Sequence, residues 1–281
     1  MDLDPSEQQR RDYWADQMEL GHALVEQLLA FPVQECGEAF ASIPAAVDEA
    51  GVEVLFSNSK IAGNLDRVFQ IRRSLIPDIL TIAESMNRRG WVLKIEDGYR
   101  SLEMQSQLVR KPAVFDSIVS KCRWECGGEQ PPVDLVARRG VVLVANYPKI
   151  GTHMSGSAID ISVFRRDGTE VWRGGPYLEM SERTPMRSPF ISADELRNRL
   201  EITEIMEAAG FMHFPYEFWH YNKGDAGAQI LTGRSEPARF GPVHWNSADN
   251  TVTPVAEPLQ PLNPLPVIER EIAAALARAA Q

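Results

Sequence analysis

The segment SAIDISVF, residues 157–164, constrains the fold more tightly than any other stretch of the chain. Ile159, Ile161 and Val163 alternate with Ala158, Asp160 and Ser162. A period of two belongs to a β-strand whose faces meet different surroundings. The isoleucine and valine face is a core face, so Asp160 points the other way, into whatever groove the opposite face lines. Just upstream, GTHMSG is built of small residues apart from His153 and Met154. Small residues let a backbone turn tightly and approach something closely. A metal ion is the obvious candidate for what approaches His153 and Asp160, because neutral imidazole and carboxylate are both good zinc ligands. Two ligands do not make a site, and the rest of the chain must supply a third.

The periodicity elsewhere reads as a mixture of helices and strands. Residues 5–31 are expected to be helical, with Trp14, Met18, Val25, Leu28 and Leu29 on the buried side, and 34–50 form a second helix. Leu75, Ile79, Leu80, Ile82, Ala83 and Met86 mark a helix within 70–89 that Gly90 stops, with Pro77 as a kink or a first-turn residue. WVLKIED starts as a strand and turns at Asp97-Gly98; residues 102–123 are helical, and VVLVA (141–145) is a short buried strand. Ser192 and Glu195 form a capping box for a helix closed by Gly210. FMHFPYEFWHY (211–221) returns as turn and strand. After Asn250 the chain becomes proline-rich and ends in an alanine-rich helix at 267–280. The expected class is α+β: a small central antiparallel sheet flanked by helices, with extra N-terminal helices and a proline-rich C-terminal tail. Residues 1–70 are expected as a helical extension packed on a catalytic domain at 71–246, and 247–281 as the tail.

Charge narrows the function. The chain of 281 residues carries 39 acidic against 29 basic residues, a net −10, so it lacks the excess of basic residues that nucleic acid or an anionic membrane would attract. The N-terminus has no signal-type apolar core and no run approaches about 18 apolar residues, which points to a cytoplasmic protein without a membrane partner. Three cysteines, Cys36, Cys122 and Cys126, suit reduced thiols better than a disulfide framework.

EFWH, residues 217–220, supplies the missing part. A metal hydrolase needs three protein ligands, an open position for water and a base for that water's proton. His153, Asp160 and His220 give the ligands and Glu217 the base. On a straight strand Glu217 and His220 would face opposite sides, so Pro215-Tyr216-Glu217 is expected to form a turn. A histidine on a strand is more often structural than ligating, and E-x-x-H recurs by chance; the two motifs in this order carry the reading together. His22 and His244 lie far from both motifs, and His213 precedes the turn as a core or supporting histidine.

H-x6-D followed by E-x-W-H and preceded by D-G-Y-R resembles the zinc D-alanyl-D-alanine dipeptidases of the VanX type, within the lysostaphin-like and D-Ala-D-Ala metallopeptidases. The likeness runs from about Leu93 to Asp225. It implies one Zn2+ per chain on His153, Asp160 and His220, Glu217 as catalytic base, and Arg100 as the group that stabilises the oxyanion. A preorganised donor in that role contributes about 3–4 kcal/mol. Asp97 would hold the turn or orient Arg100. In this family an acidic residue in the loop after the aspartate's strand holds the substrate's ammonium; an ungapped reading places Ser181 there, with Glu179 or Glu182 as substitutes. Thr152 could help bind a substrate carboxylate. Ser101 stands where a proline is usual.

The resemblance implies hydrolysis of a small D-amino-acid dipeptide, best read as D-Ala-D-Ala and so tied to peptidoglycan metabolism. A related zinc amidase or peptidase for another small amide, carboxypeptidases included, is the nearer alternative. A non-catalytic binding protein on this fold is the more distant one, since such a protein would be expected to lose the base or a ligand. The two terminal helical extensions suit a homodimer.

Overall fold

The protein is described here from a computed structural model covering residues 5–279. Ala280, the expected last residue of the C-terminal helix, lies outside the described residues, as do residues 1–4.

Helix α1 (Pro5–Ala30) buries Trp14, Met18, Val25 and Leu28. The expected second helix is instead a strand, β1 (Phe40–Ser42), running into α2 (Ile43–Ala50), with the Ser42 hydroxyl accepting from the Ala45 N–H as N-cap. Strands β2 (Val54–Phe56) and β3 (Gln70–Arg72) follow; β3 pairs with β1, which delays helix α3 to Ile76–Arg88 and leaves Pro77 in its first turn. Strand β4 (Trp91–Asp97) leads to α4 (Leu102–Val109), capped by Ser101, and α5 (Pro112–Glu125). One helix over 102–123 is thus two, because Pro112 holds Lys111 in an extended conformation.

Residues 141–145 also depart from the sequence expectation. Val141, Val142, Leu143 and Val144 are the last turn of helix α6 (Val133–Val144), not a strand. All four are buried among helices, and a short apolar run of β-branched residues has no period of its own to separate the two states.

Strand β5 (Ala158–Arg165), helix α7 (Ala193–Ala208) with its Ser192/Glu195 capping box, and strands β6 (Met212–His213) and β7 (His220–Asn222) come next. Helix α8 (Ala226–Leu231), the hairpin β8 (Val243–Asn246) and β9 (Thr251–Pro254), and helix α9 (Leu265–Ala279) complete the chain. The principal sheet has the order β2-β4-β5-β7-β6, antiparallel except for the parallel edge pair β2-β4.

The core face of β5 behaves as its alternation requires. Ile159, Ile161 and Val163 are fully buried against Ile79, Ile82 and Met86 of α3 and Ile202 and Met206 of α7. A second core, built from α1, α4, α5, α6 and α9, gathers around the opposite side of the site. Helices α1 and α9 both pack on α5 and α6, so the terminal extensions form part of this helical wall. Among the described residues no helix is long and apolar enough to cross a membrane.

Candidate metal centre

Three neighbouring strands bring the polar groups into one row. Asp160 on β5 lies opposite His220 on β7 and opposite Asp97 on β4. The second pairing depends on a β-bulge: Ile95 faces Ile161, and a register shift then makes Asp97, not Glu96, the partner of Asp160. An inserted residue of this kind re-aims the side chain that follows it. His153 arrives from the turn at 152–156, which closes through Met154 N–H to Gly151 O and Gly156 N–H to His153 O.

Gly156 is essential to that turn. Its φ is +68°, and a Cβ there would meet the Phe40 ring at 1.8 Å. Gly156→Ala is expected to cost about 2–4 kcal/mol from the left-handed backbone and overpacking together. A thermal melt checks this; an unchanged midpoint would contradict the turn as described.

The EFWH segment turns as its sequence requires. Glu217 N–H donates to Phe214 O and His220 N–H to Glu217 O, so Glu217 and His220 line one cavity.

The donor geometry is specific. His153 Nδ1 is 2.7 Å from the Gly98 carbonyl, which can only accept, so Nδ1 carries a proton. His153 Nε2, the other ring nitrogen, lies 3.1 Å from Asp160 Oδ1. His220 Nδ1 lies 2.9 Å from the same oxygen, while its Nε2 meets Thr152 Oγ1 at 2.8 Å. The three residues offer donor atoms within 4.8 Å of one another. Two ring nitrogens and a carboxylate oxygen that converge in this way are held together by a proton or a cation between them, and two imidazoles with one carboxylate fit a divalent ion. The other oxygen, Asp160 Oδ2, accepts from Arg100 Nη2 and from the Tyr177 hydroxyl, each at 2.9 Å. One oxygen is thereby left for the metal position and the other is held from behind.

Arg100 is itself fixed, with Nε on Asp97 Oδ2 at 2.7 Å and Nη1 on Gln105 Oε1 at 3.2 Å. Asp97 also takes Arg67 at 3.1 Å and the Gly98 N–H, so it holds the turn and orients Arg100 together. Burial alone would raise the Asp160 carboxyl, but His153, His220 and Arg100 hold it well below the usual carboxylate range. Burial lowers His220, which favours the neutral, ligating imidazole.

Glu217 responds oppositely. Burial, reinforced by the charge of Asp160, pushes it well above the usual range, with Arg100 opposing weakly. A carboxyl raised on folding contributes stability below its unfolded pKa and loses it as pH rises through the folded value. Metal-free Glu217→Gln protein, which cannot ionise there, is therefore expected to melt above wild type at pH 7. The gap should shrink at pH 4. Melts at both pH values test this, and an equal gap at both would contradict the assignment.

The cavity has a volume of about 80 Å³ and is lined by Arg100, His153, Asp160, Glu217 and His220 at its polar end. Thr152 lines it too, with its hydroxyl on His220. Ser181 and Glu182 are not among the lining residues, which differs from the ungapped reading of the sequence. Ser181 Oγ is turned to Glu179, and Glu182 is taken by Arg10 and Lys121 at 2.6 and 2.7 Å. From that loop it is Leu178 and Met180 that reach the cavity. Sequence reasoning missed Tyr177 and Gln105: nothing marks the tyrosine in GGPYLEM, whereas Gln105 sits one helical turn beyond the Ser101 cap. His213 is occupied by Glu207 at 2.7 Å, His22 lies beside Glu26, and His244 is exposed. Cys122 is buried in the helical core.

The α+β fold thus converges two imidazoles and a carboxylate, a donor set that could hold a metal ion, on a cavity that Glu217 also lines. The comparisons narrow the class: residues 71–236 match the family model described as D-ala-D-ala dipeptidase, and the chain belongs to that family of peptidases. It is 28% identical over 148 residues to the D-alanyl-D-alanine dipeptidase of Enterococcus faecium, spanning 52% of this chain and 69% of that one. To the Synechocystis sp. D-alanyl-D-alanine dipeptidase it is 26% identical over 224 residues, 70% of this chain and 86% of the relative. Among solved structures it is similar to the LdcB LD-carboxypeptidase, at 19% identity and a TM-score of 0.35 over 65% of this chain and 70% of that one. It is also similar to a mutant of the D,D-pentapeptidase VanY in complex with Zn(II), at 13% identity and a TM-score of 0.34 over 74% and 94%.

Proposed function

We propose that the chain is a zinc-dependent peptidase that hydrolyses the amide bond of a small D-amino-acid peptide, with D-Ala-D-Ala as the reference substrate. The observation that carries this reading is the convergence of His153 Nε2, Asp160 Oδ1 and His220 Nδ1, with Glu217 on the same cavity. Zinc held by those three atoms would polarise the scissile carbonyl and acidify a water molecule. Glu217 accepts the water's proton and passes it to the leaving amine. Its raised pKa makes it the stronger proton acceptor once ionised. Arg100 commits three of its five N–H groups, to Asp97, Gln105 and Asp160, which leaves two for the developing oxyanion. Gly98 holds His153 with Nδ1 protonated, which leaves Nε2 for ligation, and Thr152 helps orient the His220 ring.

A non-catalytic binding role has less support, because the chain keeps on this cavity Glu217, whose side chain makes no hydrogen bond to any described residue. A different small amide remains the second reading, favoured by the apolar residues that stand where Ser181 was expected. Release of D-alanine from D-Ala-D-Ala, measured with a chelator and again after zinc is restored, tests the proposal. Zinc-dependent release is expected; release indifferent to chelation would overturn the metal-dependent mechanism.

A further inference from the structure

The cavity at the proposed metal centre is polar at one end only. Away from β5 and β7 its walls are aliphatic: Leu24, Val25 and Leu28 from α1, and the last turn of α6 with Val142 and Leu143. The loop after β5 continues this character. Leu178, at a φ of 67°, and Met180 face the cavity, whereas the loop's carboxylates face away. Glu179 is engaged by Ser181 and Arg183, and Glu182 by Arg10 and Lys121.

This arrangement decides what kind of substrate end can be buried. The carboxylates lining the cavity are Asp160 and Glu217. Asp160 is already met by two imidazoles, Arg100 and Tyr177, and Glu217 is the proposed base. A free ammonium carried into the apolar end would find no counter-charge of its own, and an unpaired buried charge is strongly disfavoured. An aliphatic group in the same place would gain from every surface it covers. The polar end, in contrast, offers N–H groups of Arg100 to a carbonyl or carboxylate.

We infer that the substrate of this enzyme carries an uncharged aliphatic acyl group where a free dipeptide has its ammonium, making it an N-acylated D-amino-acid peptide. The inference rests on the peptidase reading of the metal centre. Hydrolysis of N-butanoyl-D-Ala-D-Ala consumes one water and yields N-butanoyl-D-alanine and D-alanine. D-Ala-D-Ala yields two D-alanines, so released D-alanine follows both reactions.

The test compares kcat/KM for these two peptides on the zinc-loaded protein, with calorimetric binding of each to the zinc-loaded Glu217→Gln protein. The blocked peptide is expected to be cut at least tenfold more efficiently and to bind at least tenfold more tightly. Leu178→Asp, which puts a carboxylate on the apolar wall, should erase or reverse that preference. Faster cleavage of free D-Ala-D-Ala would overturn this inference and leave the peptidase reading standing. If neither peptide is cut, the peptidase reading fails for both, and binding decides the inference alone: equal or weaker binding of the blocked peptide overturns it.

Discussion

Glu217→Ala protein is expected to lose about 10³-fold in turnover while keeping its zinc. The two halves of that expectation rest on different observations. Positioned general bases contribute roughly 10²–10⁴-fold, and the role proposed for Glu217 combines that proton transfer with delivery to the leaving amine. It stands apart from the three residues whose donor atoms converge, so its loss removes no ligand. It also makes no side-chain hydrogen bond to a described residue, so little of the surrounding architecture depends on it. Steady-state kinetics together with metal analysis of the same preparation check both halves. Turnover surviving at the wild-type level would remove Glu217 from the mechanism, and loss of zinc would make it a ligand or a support of one.

Asp160→Asn should be more damaging still, because one side chain serves both the metal position and the group behind it. The amide keeps the carboxylate's shape but loses its charge. With its oxygen accepting from Arg100 and Tyr177, the amide turns towards the two imidazoles an NH2 group, which has no lone pair to offer a metal. Zinc affinity is expected to fall by more than the roughly 10–100-fold typical of losing a supporting partner, and turnover to fall to background. The fold should persist, since Asp97 and Gln105 still hold Arg100 and the core face of β5 is untouched. Calorimetric zinc titration with a far-ultraviolet spectrum distinguishes these effects. Stoichiometric, tight zinc binding by folded Asp160→Asn protein would show that the metal sits elsewhere. Tyr177→Phe, which removes only one bond to Asp160 Oδ2, should fall within the milder 10–100-fold range.

The parts of this site that were legible in the sequence are those governed by local chemistry. The two-residue period of SAIDISVF is enough to place β5 and to aim Asp160 away from the core. The Ser192/Glu195 box opens α7 where a capping box should, and the geometry of a strand forces Glu217 onto a turn if it is to share a side with His220. Long-range register is another matter. The bulge that sets Asp97 rather than Glu96 opposite Asp160 depends on how β4 meets β5, and no residue of IEDG advertises it. Residues 141–145 were misread because four consecutive buried apolar residues look alike in a strand and in a helix packed on several sides. The loop after β5 was misread for a related reason. An ungapped count assigns Ser181 to the cavity, but the turn around Leu178 directs Leu178 and Met180 inward and leaves Glu182 to ion pairs from α1 and α5. The apolar wall itself comes from α1 and α6, which are distant from the motifs in sequence and carry no sign of where they pack.

The measurement that tests the account most directly is zinc titration of metal-stripped protein, with amide hydrolysis followed at each addition on both D-Ala-D-Ala and its N-butanoyl derivative. The account predicts negligible hydrolysis before zinc is added, a linear rise, and a break at one zinc per chain. Hydrolysis that persists in the stripped protein, or a break that Asp160→Asn reproduces unchanged, would contradict a catalytic zinc on His153, Asp160 and His220.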